Sequence, residues 1–271
     1  MADTEQLARG YVSNNNTQSD AGLFLLDRLN VAPGMHVLDV GCGPGNLTAH
    51  MVTLVGESGR VVGIDPSPER IKLARETYAA AAAAAASSSS NLAFHEGRAE
   101  DLSRFGDASF DAVFVNSTFH WIADQALAVR EFARVLRPGG RLGVSGGSGD
   151  FVALHERIKA DVLAREPYAA YPDGGAAGGP RFVKRREMEG LLDDAGFAGH
   201  EIVVNRIVKT ARDGAAMVEW LDTSSSGKTY GGIPLELRPM AREEMIREWD
   251  KVTTEDGIRM DMELLVTVAT R

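Results

Sequence analysis

From Met35 onward, apolar and polar positions repeat in a regular order. Short apolar runs at Met35–Val40, Arg60–Ile64, Leu92–His95, Phe110–Val115 and Arg141–Val144 read as buried strands, and the segments between them have helical character. Strands alternating with helices predict a parallel sheet with right-handed crossovers. One helix start is written in Asp65-Pro66-Ser67-Pro68-Glu69: Ser67 offers a cap, Pro68 suits the first turn, Glu69 complements the helix dipole, and the helix runs on through Tyr78. Another helix is expected from about Asp124 to Leu136, with an apolar stripe of Ala128, Phe132, Val135 and Leu136 and a stop at Pro138-Gly139-Gly140. A last helix, Arg186 to Ala195, ends at Gly196-Phe197 and leads into the apolar run Ile202–Val208, and Gly257–Ala269 makes the final strand.

Two stretches break the pattern. Eight alanines (Ala79 to Ala86) and four serines (Ser87 to Ser90) follow the Pro68 helix; polyalanine favours its continuation, and the tract reads as a neutral expansion in a surface connection. Gly146 to Pro180, closing on Gly174-Gly175-Ala176-Ala177-Gly178-Gly179-Pro180, is too long for an ordinary connection after a strand and reads as a lid.

Composition narrows the function. With 271 residues, 44% hydrophobic and 25% charged, the chain suits one α/β core with insertions. A formal charge of −9 opposes attraction to polyanions, so nucleic acid and anionic membrane surfaces are not expected partners. Neither a basic flank with an apolar signal core nor a run of about 18 apolar residues occurs, which predicts an unprocessed, cytoplasmic protein without membrane insertion. The lone Cys42 excludes an internal disulfide, and no metal site is expected.

The chemistry concentrates in Val37-Leu38-Asp39-Val40-Gly41-Cys42-Gly43-Pro44-Gly45-Asn46-Leu47-Thr48, a strand that breaks into three glycines and enters a helix. Glycine lets the backbone turn sharply and approach a ligand closely. Val61-Val62-Gly63-Ile64-Asp65 closes a second strand on an acid suited to ribose hydroxyls. A dinucleotide and S-adenosylmethionine both use such a pair. Pro44 removes a backbone donor that a pyrophosphate would use, whereas Asp39 suits a cationic methionyl group. Cys42 has no neighbouring base and reads as a small packing residue.

The glycine run resembles motif I of class I S-adenosylmethionine-dependent methyltransferases, and Gly63-Ile64-Asp65 resembles the acidic loop that follows it. Gly97-Arg98-Ala99-Glu100-Asp101-Leu102 is similar to the G-D-A-E-D-L segment that edges the adenine ring. Arg98 stands where that segment has Asp, which leaves the contact to the Ala99 backbone and Glu100. Ser109-Phe110-Asp111-Ala112-Val113-Phe114 and Leu136-Arg137-Pro138-Gly139-Gly140 resemble the signatures around strands four and five. The resemblance implies one α/β domain over 1–271: a Rossmann-like seven-stranded sheet, helices on both faces, the last strand antiparallel, and a helical lid from 1–30, 146–185 and 213–250. It implies S-adenosyl-L-methionine held by Asp39, Gly41, Cys42, Gly43, Gly45, Asp65, Pro66, Ala99, Glu100 and Asn116.

The acceptor is to be read after strand four, at Asn116-Ser117-Thr118-Phe119-His120-Trp121. The prolines of enzymes that methylate planar amines are missing there. Phe119-His120-Trp121, Asp124-Gln125 and the N-terminal Tyr11-Val12-Ser13-Asn14-Asn15 resemble the juvenile hormone acid methyltransferases, and Asp213-Gly214-Ala215-Ala216-Met217-Val218-Glu219-Trp220-Leu221 is similar to a segment of trans-aconitate methyltransferases. That resemblance implies a small-molecule carboxylate acceptor at a pocket of Tyr11, His120 and Trp121; the charge of a carboxylate would suit Arg185 or Arg186 as partners, and Trp220 reads as lid core. An ionised carboxylate needs alignment rather than a base. A hydroxyl acceptor would instead need His120 as catalytic base. N- or C-methylation of a quinone-like acceptor, and a binding protein or cyclase on the same fold, stay open, as does the oligomeric state.

Overall fold

Four of the five residues of strand β1 (His36–Val40) are buried, because its neighbours lie on both edges and helices cover both faces. The computed structural model describes residues 16–84, 91–171, 179–225 and 229–271. In chain order the elements are α1 (Asn16–Leu29), β1, α2 (Asn46–Val55), β2 (Arg60–Asp65), α3 (Pro68–Ala84), β3 (Leu92–Glu96), β4 (Phe110–Asn116), α4 (Gln125–Val135), β5 (Leu136–Gly147), α5 (Leu154–Leu163), α6 (Arg185–Asp194), β6 (Gly199–Ala211), α7 (Gly214–Ser224), α8 (Arg238–Asp250) and β7 (Ile258–Thr270).

The seven strands form one sheet in the order β3-β2-β1-β4-β5-β7-β6, with β7 antiparallel to both neighbours. Strand order reverses between β1 and β4, so the carboxyl ends of these two strands open a crevice of the kind in which α/β sheets bind ligands. One face of the sheet packs Leu38, Val113 and Leu142 against Phe132 of α4 and Leu192 of α6. The other packs Val37, Phe114 and Val266 against Leu25 and Leu29 of α1 and Met51 of α2. A third cluster stands apart: α5, α7 and α8 bury Val162, Met217, Trp220, Met245 and Trp249 together with Tyr168 and Met260.

Ser67 caps α3 by accepting from the Arg70 amide at 3.3 Å. The helix continues into the alanine tract as far as Ala84, and the remainder of the tract, Ala85 to Ser90, lies outside the described residues. Asp124 caps α4 by accepting from the Leu127 amide at 2.8 Å.

Two expectations need correction. Pro138-Gly139-Gly140 does not separate a helix from a strand: β5 begins at Leu136 and contains it. Pairing with β4 jumps from Phe110↔Leu136 to Ala112↔Arg141, and this irregularity accommodates a proline and a glycine at φ +79°. Nor is the helix at 185–194 the last, since α7 and α8 follow it. Asp213 starts α7 by accepting from the Ala216 amide at 2.8 Å, whereas α8 has a weak sequence signal because charged residues flank its buried Ala241, Met245 and Trp249.

Candidate active site

The turn from β1 into α2 puts Gly41, Gly43 and Gly45 at positive φ, where a side chain would be strained, and at Gly41 and Gly45 it would also be blocked. A Cβ on Gly45 would come within 2.7 Å of the Phe94 ring, and one on Gly41 within 2.1 Å of Thr118 Oγ1. Asp65, at the end of β2, holds this loop: its carboxylate accepts from the Gly43 amide and from the Ser67 amide, each at 2.9 Å. Cys42 is buried against Gly63 and its thiol pKa is pushed up by burial, which suits packing.

Asp39 accepts from Thr48 Oγ1 at 2.6 Å and is almost wholly buried. Burial, opposed by the Thr48 hydrogen bond and reinforced by the charge of Asp65, raises its pKa to about 7. Beside it lies a small cavity of about 30 Å³, walled by the glycine loop, Asn116 at the end of β4, and Gln18 and Ser19 of α1. Asn116 Nδ2 donates to the Gln18 carbonyl at 2.8 Å. That bond leaves Asn116 Oδ1 and Gln18 Oε1 as buried acceptors without donors.

On the other side of Gln18 a far larger cavity, about 760 Å³, opens between the carboxyl edge of the sheet and the α5–α7–α8 layer. His120 and Trp121 line it from a 3-10 turn, Phe119–Trp121, immediately after β4. Gln125 fixes this turn, its Nε2 donating to the Phe119 carbonyl at 3.0 Å and the Arg181 carbonyl at 2.9 Å, while the Arg181 amide donates to the His120 carbonyl at 2.7 Å. The imidazole sits between the rings of Trp121 and Phe182, both with centroids 4.9 Å away. The remaining walls include Ile158, Trp220, Met245, Trp249, Met262 and Leu264. Lys159 is the cation and Glu156 and Glu263 the carboxylates among the described lining residues.

Several expected residues stand elsewhere. Arg185 and Arg186 do not line the cavity; both are exposed on α6, whose first turn points its Arg185 amide at Asp150. Glu100 accepts from the Ala123 amide at 3.0 Å and pairs with Arg98 at 3.6 Å, next to the buried Ala99. Pro66 is exposed beside Asp65. Tyr11, with the rest of 1–15, and the glycine-rich 172–178 lie outside the described residues. Gln18, His155 and Phe182 line the cavity although sequence reasoning passed over them; for Gln18 the only signal was membership of the expected N-terminal cover.

Comparison with known proteins fits this geometry. A family model described as a methyltransferase domain matches residues 38–144, from β1 to the end of the parallel strands. The O-methyltransferase cnsE of Penicillium expansum is 35% identical over 170 residues, which cover 63% of this chain and 54% of that one. The ubiquinone/menaquinone biosynthesis C-methyltransferase UbiE of Cronobacter sakazakii is 36% identical over 183 residues, 64% of this chain and 70% of that one. The crystal structure of the YcgJ protein of Bacillus subtilis shares the fold at a TM-score of 0.62 and 17% identity, over 93% of this chain and 97% of that one. The chain thus spans about half of cnsE and more than two thirds of UbiE. This protein belongs to the class I S-adenosylmethionine-dependent methyltransferases.

The site fits that cofactor. The glycines at positive φ allow the sharp turn from β1 into α2, and the buried Asp39 with the two donor-less oxygens of Gln18 and Asn116 suits an ammonium group. Among the described residues no helix is long and apolar enough to cross a membrane, and no group of three or more side chains could hold a metal ion.

Proposed function

We propose that this methyltransferase alkylates an oxygen of a mid-sized, largely apolar, ring-bearing acceptor held in the 760 Å³ cavity, with His120 as base. The observation that carries this reading is the cavity itself: its volume lies in the range of drug-sized ligands, its walls are mostly apolar, and a histidine stands at the carboxyl edge of the sheet. Relatives named as an O-methyltransferase and as a quinone-pathway C-methyltransferase support an acceptor of this kind.

S-adenosylmethionine supplies a methyl carbon made electrophilic by its sulfonium. Asp39, Gln18 and Asn116 bind the methionyl end, Asp65 the ribose, and the turns at Gly41–Gly45, Pro66 and Ala99 shape the groove. His120 takes the hydroxyl proton as the acceptor oxygen forms its bond to carbon and the carbon–sulfur pair departs with sulfur. Trp121 and Phe182 hold the imidazole and exclude water, and α5, α7 and α8 close the cavity as a cap over a single domain.

A carboxylate acceptor is the second reading, and Lys159 in the cavity wall favours it. Two carboxylates in the same walls, and no arginine among its described residues, weigh the other way. Incubation with methyl-labelled cofactor and a panel of phenols, carboxylic acids and hydroxyquinones, read by mass spectrometry, tests both. A base-stable methyl ether is expected; a product cleaved by mild base would replace the hydroxyl reading with the carboxylate one, and a carbon-bound methyl would replace both.

A further inference from the structure

His155 sits in the first turn of α5 and lines the acceptor cavity from the cap, on a different element from His120. Its Nδ1 is buried without a hydrogen-bond partner. A buried lone pair without a donor is tolerated better than a buried N–H without an acceptor, so the ring proton belongs on Nε2. Several other polar groups in these walls are satisfied internally. Ser225 and Thr229 share a hydrogen bond of 2.8 Å, Ser224 donates to the Trp220 carbonyl at 2.6 Å, Glu156 accepts from the Ala153 amide at 2.9 Å, and Glu263 pairs with Arg206 at 3.0 Å. The indole N–H groups of Trp220 and Trp249, in the same walls, are buried without acceptors. With those hydroxyl and carboxylate oxygens engaged, a donor on the His155 ring meets mostly apolar walls on the cap side.

We propose that His155 is a specificity residue that donates, through Nε2–H, to a second oxygen of the acceptor, a ketone, quinone or ether oxygen remote from the atom that is methylated. The inference rests on the ring-bearing acceptor proposed above. It assigns the substrate two oxygen functions: one beside His120 at the sheet edge, and one that only accepts hydrogen bonds, beneath the cap. Burial and the charge of Lys159 lower the His155 pKa to about 4, and the positive end of α5 works in the same direction, so the imidazole stays a neutral donor across the physiological range.

The probes are 4-hydroxybenzophenone and 4-benzylphenol, which differ by a ketone in place of a methylene, titrated calorimetrically into protein saturated with S-adenosylhomocysteine. The wild type should bind the ketone about tenfold more tightly, because the methylene compound leaves a donor unpaired. His155→Phe should abolish the preference while leaving affinity for 4-benzylphenol within about twofold, and His155→Gln, which keeps a donor, should restore part of it. Unchanged S-adenosylhomocysteine affinity shows that a variant is folded. Equal affinities in the wild type, or a preference that survives His155→Phe, would overturn the inference and leave the proposed function standing; failure of both phenols to bind overturns the two together. If neither variant folds, nitrogen-15 shifts of the wild-type ring decide: an Nε2-protonated tautomer at pH 7 supports the proposal, and an Nδ1-protonated one ends it.

Discussion

In the cofactor crevice the backbone sets the shape: alternate glycines of one turn lie at positive φ, two amides are tied to Asp65, and Asp39, Asn116 and Gln18 stand beside them. In the large cavity, residues from α1, the turn after β4, α5, α7, α8 and β7 converge, and bulky side chains such as Trp121, Phe182, Trp220 and Trp249 form much of the wall. The electrostatics differ in the same sense. Burial lifts Asp39 to about 7 and lowers His155 to about 4, so each region keeps a titratable group close to neutrality by opposite shifts. A site made of backbone tolerates little change in sequence, whereas a site made of side chains can be respecified without altering the fold.

The largest test of this contrast is His120→Ala. A hydroxyl acceptor should lose about 10²–10⁴-fold in kcat with cofactor affinity intact, measured by turnover alongside S-adenosylhomocysteine calorimetry. Retention of most of the rate would point to an acceptor that is already ionised. Next comes Gly45→Val on the backbone side, where the φ of +89° and contact with Phe94 should cost at least about a hundredfold in cofactor affinity. Should Gly45→Val bind normally, the crevice is not built as described.

Asp65→Ala should weaken cofactor binding about ten- to a hundredfold, and it should lower the melting temperature of the free protein as well, since Gly43 and Ser67 lose their acceptor. Calorimetry and thermal unfolding together separate the two effects. A smaller change is expected at Asp39. In the free protein it is protonated below about pH 7, and a cationic methionyl group binds the carboxylate, so affinity should rise between pH 5.5 and 7 by up to about tenfold per unit, and Asp39→Asn should flatten that slope.

The smallest effect compares the two regions directly. Asp39 holds its proton more tightly in the folded chain, so its contribution to stability is lost as pH rises from about 4 to about 7. His155 holds its proton less tightly when folded, so its contribution is lost as pH falls from about 6.5 to about 4. Over their shared range the two oppose each other. The melting temperature should fall with rising pH in His155→Phe and rise in Asp39→Asn, relative to the wild type, and parallel profiles for all three proteins would contradict the assignment.

The same division explains what the sequence discloses. β1, the glycine loop and Asp65 are contiguous or nearly so, and steric necessity selects their residues, so both the strand-turn-helix unit at β1 and the cofactor are legible. The Ser67 and Asp124 caps are local for the same reason. His155 and Phe182 meet His120's cavity from the expected 146–185 cover, but nothing in their immediate neighbours singles out those two positions within it. Arg185 and Arg186 were attractive as charges, yet α6 turns them to solvent because its buried stripe is Met188 and Leu192. α8 falls within the expected 213–250 cover but carries no clear periodic signal of its own, because charged residues flank Trp249, whose burial depends on partners in α5 and α7.

Gln18 belongs to the walls of both cavities, a partition one side chain thick. A single substitution at that residue reaches both cavities at once, so Gln18→Ala is expected to disturb the two together rather than either alone.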